Sequence, residues 1–199
     1  MKNLAIAYVT CDKYEHVWEE WHDAFIEHWR DWDIPVYWCG ESKLAIDDDF
    51  KQIFHKPVEV KHWTTKLRTQ IEQIPEENIF IWLDDMPQQF NISKEFNALY
   101  DFFLKNDADA LRIMGRASRA WYDEVGQIVD KPIHRLAKRS PYLVSYSPNI
   151  YKKKFLLEIL QYDESPWASE LNGSLRFWRP RRKIYTYHID GWYINRVIQ

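Results

Sequence analysis

The stretch NLAIAYVT at residues 3–10 has no polar face, whichever way an extended backbone is turned. The segment after it is apolar on one side only. Tyr14, Val17, Trp18, Trp21, Phe25, Trp29 and Trp32 recur at helical spacing over residues 14–32, which predicts an amphipathic helix with an almost wholly aromatic face. Pro35 breaks the chain, and VYWC at 36–39 is a second short apolar run. Strands without a polar face belong to parallel sheets covered by helices on both sides. A strand–helix–strand unit closes as a right-handed crossover. Few architectures accept such a start, and all of them are layered α/β folds.

The rest of the first half repeats the alternation. Residues 47–50, DDDF, read as loop, and VEV at 58–60 as a short strand. WTTKLRTQIEQI at 63–74 is a helix with Leu67, Ile71 and Ile74 on one face, capped by Thr64 or Thr65 and stopped by Pro75. NIFIWL at 78–83 is a buried strand. Ser93 caps a helix that turns Phe96, Leu99, Tyr100, Phe103 and Leu104 inward, and DALRIM at 109–114 is a further strand. Residues 115–147 change character: AWYDEV, PIHRLA and YLVSYS look like antiparallel hairpin material. YKKKFLLEILQ at 151–161 is a helix. SPWASEL at 165–171 is a short one, with Ser165 as cap, Pro166 in the first turn and Gly173 ending it. KIYTYHI at 183–189 is a late strand and GWYINRVI a tail element. The expected fold is α/β: a mostly parallel, Rossmann-like sheet flanked by helices, with a small antiparallel region, forming one domain over residues 1–199.

Composition narrows the chemistry. With 5 glycines in 199 residues, and neither GxGxxG nor GxxxxGK present, a glycine-rich phosphate loop is not expected. No apolar run is long enough to span a bilayer, and the first strand runs into Asp12, Lys13 and Tyr14 without a signal-peptide cleavage pattern. Cys11 and Cys39 form neither a CxxC nor a disulfide framework, which fits a reducing cytoplasm. Charge is unevenly divided. Residues 1–109 hold 11 basic and 22 acidic side chains, a net of −11, while residues 110–199 hold 16 and 8, a net of +8. Solvated helix faces account for this as well as an anionic ligand for the second half does.

In open parallel sheets ligands bind beyond the carboxyl ends of the strands. TCDKY after the first strand, CGES after the second and LDDM after the strand at 78–83 should therefore meet there. Asp84 and Asp85 are adjacent, so each raises the cost of ionising the other. A divalent cation would neutralise both and bridge them to a phosphate, and hard oxygen ligands suit Mg2+ or Mn2+. A turn with Asp84 as cap and Asp85 solvated explains the pair equally.

The segments YVTCDKYEHVWEEW, WTTKLRTQIEQI, FIWLDDM, LVSYSPNIYKKKFLLEIL and ESPWASELNGS keep their order across most of residues 5–175. In this the chain resembles the small bacterial and viral glycosyltransferase-like proteins of the GT-A fold. The resemblance implies a nucleotide-sugar-binding half at 1–114 and an acceptor-binding half at 115–199. It also implies a metal-dependent, inverting transfer from a UDP-sugar to a glycan hydroxyl, in the cytoplasm of a bacterium or an infected host cell. Many GT-A enzymes have Asp-any-Asp where this chain has adjacent acids.

The residue roles that follow are expectations. Thr10, Cys11 and Asp12 match the loop that holds base and ribose, Asp84 is assigned to the ribose, and Lys66 and Arg68 could reach the nucleotide. Asp85 is the first choice as metal ligand, with His188 as the C-terminal histidine that GT-A enzymes often return to the metal. Glu170 is assigned as general base, with Trp167 stacking on the acceptor; Asp163 and Glu164 are lesser candidates for the base. Each has an ordinary reading beside it: a turn at Asp12, solvated helix charge at Lys66 and Arg68, core packing at Trp167, a structural His188. RFWRPRRK at 176–183 offers five cations and two interleaved aromatics. It reads as a solvated loop, a grip on a diphosphate, or a nucleic-acid surface. The last would suit a phage enzyme that glycosylates DNA bases. A glycosyltransferase-like binding protein without catalysis is a further alternative.

Overall fold

The computed structural model describes residues 1, 3–29, 33–113, 121–179 and 181–192. Trp32, Met114, residues 115–120, Pro180 and the tail from residue 193 onward, on which some expectations fell, lie outside the described residues.

The first half follows the sequence pattern. Strand β1 (Leu4–Val9) leads through a 3-10 turn into helix α1 (Glu15–His28), followed by β2 (Val36–Gly40) and β3 (Lys51–Phe54). Helix α2 (Trp63–Glu72), β4 (Asn78–Leu83), α3 (Ser93–Lys105) and β5 (Ala110–Ile113) complete the alternation. The second half contributes the hairpin β6 (Tyr122–Ile128) and β7 (Lys131–Leu136), then β8 (Asn149–Lys152), α4 (Lys153–Ile159), α5 (Pro166–Arg176) and β9 (Ile184–Tyr187). Among the described residues nine strands form one sheet in the order β3-β2-β1-β4-β8-β5-β9-β7-β6.

Alternation along the central strands assigns each side chain to a layer. Leu4, Ile6 and Tyr8 of β1, with Phe80 and Trp82 of β4, face α1 and α3. Ala5, Ala7, Val9, Ile79 and Ile81 face the layer of α2 and α4. The aromatic face of α1 thus lies on an aromatic sheet face: Trp21 packs on Tyr8 and Trp82 with ring centroids 3.9 and 5.1 Å apart. The opposite face is lined by smaller residues, over which α2 lays Leu67 and Ile71.

Several expectations are corrected. The sheet is mixed, not mostly parallel: β1–β2, β1–β4, β2–β3 and β5–β9 pair parallel, while β4–β8, β5–β8, β6–β7 and β7–β9 pair antiparallel. The antiparallel β8 inserts between β4 and β5, a non-local choice that period-2 patterning does not encode. The third strand is 51–54, and residues 58–59 are irregular, with Val60 opening a 3-10 turn. Residues 151–152 belong to β8 rather than to α4, and 142–147 form no strand.

Caps differ as well. Thr64 does not cap α2; it is buried and its hydroxyl donates to the Tyr162 carbonyl at 2.5 Å. Ile92 precedes α3 at the cap position, and Asn91 Oδ1 accepts from the Ser93 N–H at 2.7 Å. Ser165 does cap α5, accepting from the Ala168 N–H at 3.2 Å. Gly173 lies inside α5 rather than ending it. A Cβ there would come within 3.1 Å of Val144 Cγ2, so the glycine permits close approach of the helix. Among the described residues no helix is long and apolar enough to cross a membrane.

Candidate active site at the carboxyl ends of β1, β2 and β4

Register brings the three predicted loops together. Val9 pairs with Cys39 on one side and Leu83 on the other. Thr10 and Asp84 therefore leave the sheet level with Gly40, the last residue of β2, on adjacent strands spaced about 4.8 Å apart. Backbone bonds carry the register one residue further: Thr10 N donates to the Cys39 carbonyl at 3.2 Å, and Asp84 N to the Val9 carbonyl at 3.3 Å.

The site is built around buried Thr10. Its hydroxyl accepts from Trp18 Nε1 and donates to Asp84 Oδ2, both at 2.6 Å. Asp84 is 5% exposed. Burial pushes its carboxyl up to about 7; the Thr10 bond opposes this, the Asp85 charge adds to it, and Lys66 offsets it. Asp85 is less deeply placed. Burial raises its carboxyl too, and Oδ1 has no hydrogen-bond partner among the described residues although it is shielded from solvent. Tyr14 lies within electrostatic reach of both acids and Cys11, whose charges, after burial, raise its phenol. The Cys11 thiol is raised by burial first and then by Asp84 and Glu41, so it stays protonated at neutral pH.

Lys66 and Asp12 are braces within this mouth. Lys66 is 3% exposed, and its ammonium donates to the Thr10 carbonyl at 3.3 Å and to Glu41 Oε1 at 2.9 Å. Glu41 also accepts from the Asp12 N–H at 3.1 Å. Asp12 Oδ1 takes the Ser42 and Lys43 N–H groups, each at 3.2 Å, and Oδ2 takes the Ser42 hydroxyl. Burial works against ionisation of Asp12, but those bonds outweigh it and hold the carboxyl below its usual range. Arg68 is not bonded into this set; it pairs with Glu72 one turn along α2 at 2.9 Å. Glu41 and Trp18 are the members that residue-type reasoning passed over. The sequence puts CGES at the mouth but gives its acid no role, and the spacing of Trp18 marks it only as helix face.

Glu170 belongs to a neighbouring polar group at the same edge of the sheet. Ile81 pairs with Asn149 in the antiparallel β4–β8 ladder, so the segment preceding β8 runs beside the carboxyl end of β4. Within it, the Tyr146 N–H donates to Glu170 Oε1 at 2.7 Å. Burial raises the Glu170 carboxyl, against the Tyr146 bond, a Ser145 hydrogen bond and the Arg112 charge. Trp167 is 67% exposed on the first turn of α5, which excludes core packing for it. Asp163 accepts from Thr65 Oγ1 at 2.6 Å and contacts His62 Nδ1 at 2.5 Å, and Glu164 pairs with Arg176.

His188 lies elsewhere. Its ring sits against Tyr122 and His134, with centroids 5.6 and 5.5 Å apart, just beyond β9. Three strand steps separate β9 from β4, about 14 Å. Among the described residues no three His, Cys, Asp or Glu side chains gather into a group able to hold a metal. The basic stretch is partly consumed internally: Arg176 pairs with Glu164, Arg182 with Glu158, and Lys183 donates to the Asn106 carbonyl at 3.1 Å.

No family model matches the sequence, and no curated protein matches it. Solved structures do match. The structure of S. aureus TarS 1–349 in complex with UDP-GlcNAc aligns with a TM-score of 0.64 at 13% identity, covering 97% of this chain and 58% of that one. UTP-bound UGPase from Acinetobacter baumannii aligns at 0.59 with 8% identity, covering 98% and 88%. A nucleotide-diphospho-sugar transferase, described as putative, from Desulfovibrio desulfuricans G20 aligns at 0.55 with 8% identity, covering 94% and 80%. The chain thus shares a GT-A-like fold with these structures, and it spans little more than half the length of the TarS fragment.

Proposed function

We propose that the protein is a glycosyltransferase that takes a nucleotide-sugar donor, a UDP-sugar, and transfers the sugar to a hydroxyl acceptor with inversion. The observation that carries this reading is Asp85 at the carboxyl end of β4, with a shielded oxygen that has no partner among the described residues, beside a second raised carboxyl. The likeness to structures containing UDP-GlcNAc and UTP agrees with it.

A divalent cation fits this donor set. Asp85 offers an oxygen that no described residue satisfies, and Asp84 sits next to it, held by Thr10. Two carboxylates leave further positions for diphosphate oxygens and water, as Mg2+ and Mn2+ prefer. Bound there, the ion would supply charge neutralisation for a leaving diphosphate. Asp84 is the orienting member of the pair, since it is buried against Thr10 and has little surface to offer a ribose. Asp12, Glu41 and Lys66 act as braces that shape the nucleotide pocket.

Glu170 is the proposed general base. It accepts the acceptor hydroxyl's proton as that oxygen bonds to the anomeric carbon and the bond from that carbon to the diphosphate oxygen breaks. A carboxyl raised by burial suits this task near neutral pH, because the gap to the hydroxyl narrows. The inward pairing of Arg176, Arg182 and Lys183 supports sugar transfer over a nucleic-acid surface.

The test is calorimetric titration of UDP with and without Mn2+, followed by turnover of UDP-sugars. UDP binding that requires the ion, and that Asp85→Asn removes, is expected. Glu170→Gln should keep UDP binding and lose transfer. Absence of UDP binding in Mn2+ would overturn the reading, and full transfer by Glu170→Gln would remove that residue as base.

A further inference from the structure

Helix α5 carries Glu170 on its inner side and something unusual on its outer side. Trp167, Leu171 and Leu175 recur every four residues and form a stripe along the exposed face, with exposures of 67%, 55% and 55%. Ser169, Gly173 and Ser174 are the buried positions of the same helix, so its small residues face the protein and its large apolar ones face outward. This inverts the usual amphipathic arrangement. A contiguous apolar stripe of this kind marks an interaction surface, whereas single exposed leucines do not.

Charge says what it faces. At the C-terminal end of the stripe the chain continues through Arg179 and Arg181, both exposed. The other cations of the 176–183 stretch, Arg176, Arg182 and Lys183, turn inward to acids and carbonyls. Residues 110–199 carry the +8 side of the charge division. A tryptophan and leucines on one helix face, with arginines at its end, match the interface of an anionic bilayer. There the apolar stripe enters the headgroup boundary and the guanidiniums stay with the phosphates. The last described residue, Trp192, packs with Phe80 and Trp82 on the other face of the sheet, away from α5.

We infer that α5 and the arginines following it form a docking surface for an anionic lipid bilayer, seated through Trp167, Leu171 and Leu175. The inference does not depend on the transferase reading, because vesicle binding and UDP binding are measured separately. The experiment is co-sedimentation of the full chain with phosphatidylcholine vesicles and with mixed phosphatidylcholine–phosphatidylglycerol vesicles. Binding to the mixed vesicles alone, weakened by salt, is expected. Leu171→Glu with Leu175→Glu should lower the partition coefficient at least about tenfold, and Arg179→Gln with Arg181→Gln about tenfold or more. Both double variants should keep the circular dichroism of the parent. If the leucine variant loses its fold, Trp167→Ser carries the same test. The inference is overturned by no binding to mixed vesicles, or by undiminished binding of the leucine variant. It is also overturned by a dimer in sedimentation equilibrium that the leucine substitutions dissolve while vesicles bind nothing, which would assign the stripe to a second copy.

Discussion

The Thr10 hydroxyl stands between Trp18 and Asp84, accepting from the indole and donating to the carboxylate at 2.6 Å each. One oxygen atom thus ties α1 to the acid pair at the end of β4. Thr10→Val keeps the shape and removes the hydroxyl, leaving a buried indole N–H and a buried carboxylate oxygen without it. The expected cost is about 2–4 kcal/mol, read as a lower urea midpoint at pH 7. Thr10→Ser should recover most of it. An unchanged midpoint for the valine variant would show that the bridge contributes nothing.

Asp84 makes stability fall as pH rises. Its folded carboxyl lies at about 7, above the unfolded value near 3.9. The native state therefore keeps a proton that the unfolded state has released. The stabilisation is complete below the unfolded value and is lost as pH climbs through the folded one. A gap of about three units sets an upper limit on the order of 4 kcal/mol. Denaturation free energies in metal-free buffer between pH 4 and 8 should decline for the parent, and Asp84→Asn should flatten that decline. An equally steep decline in the variant would place its origin elsewhere.

Asp85→Asn should separate ligand binding from folding. The residue is half-buried and its Oδ1 has no partner among the described residues, so losing the charge should leave stability equal or slightly higher. In the parent, Mn2+ should raise the melting temperature more at pH 8 than at pH 5, because protons on the raised carboxyls compete with the ion. In the variant that increment should vanish. An undiminished Mn2+ shift would exclude Asp85 as a ligand.

The Lys66–Glu41 pair should behave as a buried ion pair, its side chains only 4% and 11% exposed. Lys66→Met leaves the Glu41 charge uncompensated and should cost about 3–5 kcal/mol. The double variant Lys66→Met with Glu41→Gln should recover part of that loss. Chemical denaturation of the four proteins closes the cycle; additive losses would show that the two groups do not interact.

How far the sequence reaches differs between the two halves. Apolar runs and helical spacing locate β1, α1, β2, α2, β4 and α3, because each of these is coded by residues adjacent along the chain. Strand β3 has no such signal: Lys51–Phe54 has one buried position in four, too little apolar pattern for local reading. The rule that ligands sit beyond parallel strand ends brought TCDKY, CGES and LDDM to one mouth, and the register of β1 with its two neighbours agrees. The internal bonding of that mouth was not legible. Lys66 and Asp12, expected on a ligand, are bonded to the protein itself through Glu41 and Ser42.

By itself the sequence determined the layered α/β start, the acid pair at a strand end, and the capped helix that bears Glu170. These depend on side-chain periodicity and on local turn chemistry. The tertiary structure alone decided that β8 enters antiparallel beside β4, which sets Glu170 at the same edge as Asp84 and Asp85 and leaves His188 about three strand widths away. It alone decided which carboxyl is buried and which face of α5 is bare. Burial and strand order follow from contacts between residues as far apart as Thr10 and Asp84, and no local pattern records which distant segment will cover a given side chain.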